Sequence, residues 1–517
     1  MTPWPTSHHG AAAAIWRRLE HGLDSLAGAA GNPLRHLGAL GVLLMLLLLS
    51  SGVVLYIVLD TSAAGAHASI DALAAVPWRL GDALRGLHRY GADALALVLA
   101  LHIAREALLG RFRHWRRAIW WTGVPLVALA FVSAIGGFWL NWDRLGQYSA
   151  VATAEWLDAL PGFGAPLARN FLAGTSLSDR LFTLFLFIHI GVPLLLAFGL
   201  WFHIQRLSLV RILPPRGLLW TTLATLLTLS LAAPVHSQGP ADLASQPTAL
   251  ALDWWLLFIH PLVQATTPEV GWLLVALAFA LLALLPLWPG STTRAPAAVV
   301  QPEQCSGCTL CLDDCPYGAI SMVAHPSGKP GALLAQVHPD LCASCGICAG
   351  SCPSSTPFRG MDTLVTGIDL PQWPVDALRT RLRQGLQAMS GPARYVALTC
   401  AQGAQLDRQQ PDVLHLPLVC AGALPPSFIE YALRHGADGV LVSGCRVGGC
   451  EFRLGQQWTD KRLAGQRPPQ LRRSVPRQRL QVVWADEGDE DTLRAALHTL
   501  RQHCPTGMEP GHKEIAA

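Results

Sequence analysis

Charge is scarce in this 517-residue chain, and the scarcity is uneven. Asp, Glu, Lys and Arg make up 14% of residues against 51% hydrophobic ones, and the mean hydropathy is +0.34. Cysteine is absent until Cys305, after which all thirteen occur. The chain lacks a Rossmann glycine fingerprint, a Walker loop and a nickel-binding cysteine set, so it has no evident hydride or hydrogen chemistry of its own. No solenoid-type repeat is visible, and 36 residues of mixed character before the first apolar run speak against a signal peptide. The net charge of +4 reflects an arginine bias and gives no reason to expect nucleic acid.

The first half offers long uncharged runs instead. Leu37 to Leu59, Ala118 to Trp142, Leu181 to Gln205, Gly217 to Ala241 and Val270 to Thr293 contain no charged residue. Each reaches the roughly 20 residues that a bilayer requires. A further run, Tyr90 to Ala104, is interrupted only by Asp93, which brings the expected spans to six. Arg17, Arg18, Arg35, Arg111, Arg113, Arg116, Arg117, Arg206, Arg211 and Arg216 flank alternate ends of these spans. The loop between spans five and six has no Lys or Arg, and the loop with Asp143, Arg144, Glu155, Asp158 and Arg169 is mixed. Basic residues stay inside, so both termini are expected in the cytoplasm of a bacterial inner membrane. Pro289 to Glu303, rich in Pro and small residues, reads as a linker. The expected domains are a cytoplasmic amphipathic segment at 1–36, a membrane domain at 37–295, and cysteine-bearing domains at 296–363 and 364–517.

Two membrane runs carry histidines at one interval. His88 and His102 are fourteen residues apart, and so are His189 and His203. Fourteen helical residues rise about 21 Å and turn about 1400°, some 40° short of four turns. Each pair therefore shares a face across most of a membrane, and spans two and four run in the same direction. His88 with His189 at one depth, and His102 with His203 at the other, make two bis-histidine haem sites. Arg85 and Arg105 lie three residues outward of His88 and His102, where haem propionates need cations. Gly38 and Gly52, and Gly123 and Gly137, repeat the fourteen-residue interval on spans one and three, and glycine permits close approach of a flat macrocycle. Asp93 is an intramembrane acid and a functional candidate on that ground.

The cysteines form two patterns. "CSGCTLCLDDCP" and "CASCGICAGSCP" each read C-x2-C-x2-C-x3-C-P, in which the fourth cysteine serves the other cluster. Cys305, Cys308, Cys311 and Cys352 are expected to hold one [4Fe-4S] cluster, and Cys342, Cys345, Cys348 and Cys315 the second. The 26 residues between Cys315 and Cys342 leave room for a hairpin. Farther on, "YVALTC", "VLHLPLVC" and "GVLVSGC" are apolar runs that end at Cys400, Cys420 and Cys445, and a helical stretch separates the last two. That alternation predicts a parallel α/β sheet with the thiols at its carboxyl edge. With Cys450 they make four ligands, which suit [2Fe-2S] or zinc equally by spacing. Cys504 stands outside the pattern. Exposed clusters and free thiols belong in a reducing compartment.

Three resemblances follow from these residues. The stretch from about 30 to 290 resembles the cytochrome b of quinol-oxidising bc and b6f complexes, above all its four-helix haem-binding half. "GFWLNWDRLGQYSA" is similar to the segment after that family's third helix. "LDWW" is similar to its Pro-Glu-Trp-Tyr motif, with Leu252 for the proline, Asp253 for the acid, and Asn141 where the family has proline. The resemblance implies an outer quinone site with Asp253 handling a quinone proton, and a homodimer. "GADGVLVSGCRVGGCEFRLGQQWTDKRL" resembles the delta subunit of methyl-viologen-reducing hydrogenases, with Gly403 in the place of a further cysteine. This implies [2Fe-2S] at Cys400, Cys420, Cys445 and Cys450, and a cytoplasmic flavoprotein, heterodisulfide-reductase-like or dehydrogenase partner. The region between them resembles a bacterial two-cluster ferredoxin.

The expected fold is an all-α membrane bundle with a four-helix di-haem core, an α+β ferredoxin domain and an α/β parallel-sheet domain. The expected function is a quinone-linked oxidoreductase subunit. Electrons would pass from a cytoplasmic donor through [2Fe-2S], two [4Fe-4S] and two b haems to membrane quinone. The alternatives are an extracytoplasmic c-type cytochrome as acceptor, or quinol oxidation that feeds a cytoplasmic acceptor.

Overall fold

The computed structural model describes residues 11–160, 179–205, 210–245, 249–288, 295–329, 331–406 and 410–504. Arg169, Arg206, Thr293 and the first part of the expected linker lie outside the described residues. Among the described residues the chain divides into two compact units. One lies within 31–290, and the other combines the residues up to Ala30 with those from Ala295 onward. The N-terminal segment, expected to run to residue 36, contributes helix α1, Ala11–Gly31, to the second unit. There Arg17 pairs with Glu487, and Arg446 reaches Asp24 at 3.5 Å.

The first unit is helical because its runs carry almost nothing to hydrogen-bond except backbone, and in lipid a helix satisfies that backbone internally. Its main helices are α2 (Leu37–Val58), α3 (Leu80–Leu108), α4 (Arg117–Asn141), α5 (Arg144–Asp158), α6 (Asp179–Gln205), α7 (Arg216–Ala232), α8 (Ile259–Ala265) and α9 (Pro268–Leu284). Among the described residues four helices are long and apolar enough to cross a membrane: α2, α4, α6, and α9 extended to Leu287. The other two expected spans differ for physical reasons. α3 is 29 residues long but carries Asp82, Arg85, Arg89, Asp93, Arg105 and Glu106. α7 stops at Ala232 after 17 residues, nine residues before the expected end, because Pro234 cannot continue it. α2 packs on α3, α4 on α6, and α3 on α7.

In the second unit, β1 (Ile320–Ala324) and β2 (Leu333–Val337) form an antiparallel hairpin between Cys315 and Cys342. Short helices α10 (Leu310–Asp314) and α11 (Ile347–Ser351) follow the two cysteine loops. After α12 (Val375–Ala388) comes a four-stranded parallel sheet: β3 (Tyr395–Cys400), β4 (Val413–Leu418), β5 (Gly439–Gly444) and β6 (Leu480–Trp484), in the order β4-β3-β5-β6. β3 and β5 are buried throughout, as strands covered on both faces are. Residues of alternate parity divide between the two layers. Tyr395, Ala397 and Leu441 meet Leu493, Leu497 and Leu500 of α15 (Glu490–His503). Val396, Leu398, Val440 and Val442 meet Leu382 and Leu386 of α12 and Phe428 and Ile429 of α13 (Ser427–Arg434).

The stretches expected as separate domains on either side of residue 363 share a core. Cys311, Ile320, Ile347 and Cys348 pack with Cys420, Phe452, Leu454 and Trp458, the last from α14 (Gly455–Leu463). Phe428 is wholly buried in the adjoining layer. Phe428→Ala is expected to cost about 3–5 kcal/mol. In calorimetry of the detergent-solubilised protein it should lower the transition of the sheet-bearing unit and leave that of the helical unit in place.

Candidate redox centres

α3 presents His88 and His102, and α6 presents His189 and His203. The His88 and His189 rings stand 6.3 Å apart, with planes inclined by 71°. Two imidazoles bound through a metal at about 2.0–2.1 Å each have ring centres about 6 Å apart, so this pair has the separation of axial ligands. His203 in turn interacts electrostatically with His102. Three of the four rings have a partner at Nδ1. Ser51 Oγ lies 2.9 Å from that of His88, Thr122 Oγ1 2.9 Å from that of His203, and the Ser133 carbonyl 2.9 Å from that of His189. A partner at Nδ1 sets the tautomer and leaves Nε2 for a metal.

The four glycines oppose these rings. A Cβ at Gly137 would lie 2.9 Å from His189 Cε1, and one at Gly52 3.2 Å from His88 Cε1. At Gly123 it would lie 3.2 Å from His203 Cε1, and at Gly38 3.8 Å from His102 Cε1. The fourteen-residue interval on the facing helices thus follows the histidines, and what each glycine meets among protein atoms is an imidazole edge.

The arginines have protein partners. Arg85 donates to Asn141 Oδ1 at 3.2 Å and to Ser237 Oγ at 2.9 Å. Arg105 shares Glu106 with Arg111 and Arg116, at 3.4, 3.7 and 3.4 Å. Asp253 is ion-paired with Arg89 and accepts from the backbone of Trp255 at 3.0 Å and Leu256 at 2.8 Å. Arg89 also donates to Asp93 at 2.6 Å, so both acids hang on one guanidinium. Neither Arg89 nor His260 was singled out by the sequence. For Arg89 the signal was its place four residues before Asp93 on a helix. His260, on α8, is buried, with Nε2 3.1 Å from Ser149 Oγ and Tyr148 edge-on at 6.1 Å. Its Nδ1 is buried without a hydrogen-bond partner among the described residues.

Both ferredoxin-type loops bend the same way. Gly307 and Thr309 have φ of 66° and 65°, and at the matching positions Ser344 and Gly346 have 55° and 74°. Left-handed residues between cysteines turn successive side chains and N–H groups toward one centre. Ala319 N donates to Cys315 Sγ at 3.3 Å, and Ser344 N to Cys342 Sγ at 3.5 Å. Cys315, Cys342, Cys345 and Cys348 line a small, mostly apolar pocket together with Tyr317, Ile320 and Val337. Burial pushes the Cys311 thiol up to about 12 and raises Cys315, Cys345 and Cys348 as well. A cation bound by such thiols favours the thiolate, which ties ligation to proton release.

At the carboxyl edge of the sheet Cys400, Cys420, Cys445 and Cys450 are buried together. Cys400 and Cys445 sulfurs are 3.9 Å apart. Sharing protons with Cys400, reinforced by burial, pushes Cys420 and Cys445 up. A Cβ at Gly455 would lie 2.1 Å from Cys420 Sγ, so only glycine fits there. Among the described residues no three His, Cys, Asp or Glu side chains converge as a one-ion site demands. A cluster that takes its ligands at several irons does not need such convergence. Cys504 lies apart, with its sulfur 3.4 Å from the Gln478 carbonyl.

Residues 30–210 match the family model described as cytochrome b/b6/petB. The histidine-bearing unit is cytochrome b-like. Residues 304–356 match a 4Fe-4S dicluster domain, and 393–504 match the delta subunit of methyl-viologen-reducing hydrogenase. A solved structure described as "Hyperthermophilic respiratory Complex III" is similar at 18% identity over 50% of this chain and 75% of its own, with a TM-score of 0.42. The cytochrome b match ends before Asp253 and His260. The matched families imply haem b and [4Fe-4S] clusters, and they make this chain an electron-transfer component of a membrane. The donor sets fit those groups: His88 and His189 stand at axial separation, and Cys315, Cys342, Cys345 and Cys348 surround one pocket.

Gly137→Ala should displace His189 and lower the reduced b-type absorption band. Gly38→Ala, whose Cβ would stand in ordinary contact with His102 at 3.8 Å, should leave the band near its normal intensity. Equal spectra from the two variants would contradict the glycine reading.

Proposed function

We propose that the chain carries electrons from a cytoplasmic donor to membrane quinone. The route runs through the centre at Cys400, Cys420, Cys445 and Cys450, the two ferredoxin-type clusters, and haems at His102–His203 and then His88–His189. The observation that carries this reading is the matched histidine pairs on α3 and α6, with glycine backbone opposite each ring. When bound, the haems and iron-sulfur clusters supply one-electron transfer.

The protein's part is to hold, orient and screen. Ser51, Thr122 and the Ser133 carbonyl fix three imidazoles with Nε2 available. Arg105, Arg111 and Arg116 outnumber Glu106 by two beyond His102, a local excess of positive charge suited to haem carboxylates. At the other end Asp253 is committed to Arg89, which leaves the unpartnered Nδ1 of His260 as the better acceptor or donor for a quinone oxygen. Asp253 then acts by holding the turn around Trp255 and Leu256.

The field favours this direction. A charge crossing the membrane is worth about 2.3 kcal/mol per 100 mV, and with the inside negative an electron moving outward is assisted. The donor would be a flavoprotein or heterodisulfide-reductase-like unit, since the chain has no hydride chemistry of its own, and the cytochrome b resemblance favours a homodimer.

Purified protein should contain two b haems per chain, and His189→Ala should lack one. Reconstituted into liposomes with reduced clusters, it should reduce quinone with inhibitor sensitivity. His260→Ala should slow that reaction about 10²-fold or more, the scale of a lost proton-transfer group, with the absorption spectrum unchanged. Fully reduced haems that do not react with quinone yet reduce an added c-type cytochrome would overturn the quinone assignment.

A further inference from the structure

The ferredoxin-type stretch and the parallel sheet meet along a seam of bare backbone and one buried cation. The turn Ala421–Ala423, directly after Cys420, lies against α11, which carries Cys348. Main chain approaches main chain here. A Cβ at Gly350 would lie 2.1 Å from the Gly422 carbonyl oxygen, and one at Gly422 would lie 2.8 Å from Gly455 Cα. Arg462 of α14 fills the seam and is wholly buried. It donates to the Gly422 carbonyl at 2.9 Å and the Ile347 carbonyl at 3.5 Å, and it is ion-paired with Asp314, the residue before Cys315. Arg467 reaches the same carboxylate. Trp458 Nε1 donates to the Asp314 carbonyl at 3.1 Å, and Arg453 to the Pro316 carbonyl at 3.0 Å. Apart from the bond to Gly422, these contacts grip the runs that hold Cys315, Cys345 and Cys348.

Stability is a weak reason for such an arrangement. Burying a guanidinium and a carboxylate together costs much of what their attraction returns, and apolar packing often does as well. Arg462 Nε is moreover buried with no hydrogen-bond partner among the described residues. An N–H left so is expensive unless an acceptor arrives with a bound group. Arg462 interacts electrostatically with Cys420, so its charge is felt on the sheet side of the seam as well as at Asp314.

We propose that Arg462 is the positioning residue of an electron junction. It fixes the four-cysteine centre of the sheet beside the cluster of Cys315, Cys342, Cys345 and Cys348, and its charge stabilises an added electron on either. This rests on the cofactor assignment proposed above. The step is transfer of one electron between these two centres, one oxidised as the other is reduced, with no bond or proton moved. The cluster of Cys305, Cys308, Cys311 and Cys352 is then the later relay. A buried positive charge favours the more negative, reduced state and raises the midpoint potential, and Asp314 offsets it.

The test is an EPR-monitored redox titration of the full-length holoprotein and of its Arg462→Met, Arg462→Lys and Asp314→Asn variants, after an iron and sulfide count. Arg462→Met should lower the midpoints of the sheet centre and the Cys315 cluster by about 59 mV, tenfold in the reduced-to-oxidised ratio for one electron. Arg462→Lys should restore most of that shift, and Asp314→Asn should raise both midpoints. The haems and the Cys305 cluster should stay put. Opposite signs at Arg462 and Asp314 distinguish charge from loosened packing, and the lysine and asparagine variants carry the test if the methionine variant does not fold. Unchanged midpoints at full iron content, or equal shifts in every centre, would overturn the junction. Wild-type protein with no iron at the sheet site would instead sink the cofactor assignment, and the Cys315 midpoint would still report on Arg462.

Discussion

An imidazole can stand edge-on between two helices only where the facing helix offers backbone in place of a side chain. In the helical unit this condition is met at Gly52, Gly123 and Gly137, where a Cβ would come within 3.2 Å of a histidine ring, while Gly38 faces His102 with room for one at 3.8 Å. The condition couples two helix pairs that are far apart in sequence. α2 and α4 must hold their glycines at the rise per turn that α3 and α6 impose on their histidines, or one ring of each set loses its slot. The tightest gap, 2.9 Å at Gly137, sits opposite the ring that pairs with His88. Everything proposed for the membrane part depends on those slots staying open.

The same economy recurs in the second unit, where close packing is again bought by missing side chains. Gly350, Gly422 and Gly455 bring backbone to backbone or backbone to sulfur. The two cysteine loops repeat a left-handed pattern at matching positions, although one uses glycine then threonine and the other serine then glycine. Geometry is the repeated property there, and residue identity follows it loosely.

How far the sequence could be read depended on the range of the interactions involved. Intervals along one helix were legible, because 3.6 residues per turn converts spacing into direction. Cysteine spacing was legible for a similar reason, since short loops leave few ways to wrap a cluster. The sheet could be anticipated from apolar runs ending at cysteines. Contacts between distant segments were another matter. The i,i+4 spacing announces the pairing of Arg89 with Asp93, but nothing local announced that Arg89 would also take Asp253, or that Arg85 would be satisfied by Asn141 and Ser237. His260 stands in an apolar run, and only the fold brings Ser149 and Tyr148 around it. The early end of α7 was written in Pro234, but uncharged composition alone carried the expected span past it.

The salt bridge between Arg17 and Glu487 and the contact of Asp24 with Arg446 join α1 to the far end of the chain. Both partners must then occupy one aqueous compartment, although every membrane helix lies between them in sequence. Such ion pairs require an even number of bilayer crossings between α1 and the C-terminal sheet, a requirement independent of hydropathy and of arginine counts. An odd crossing would strand these ion-pair partners on opposite faces of the lipid.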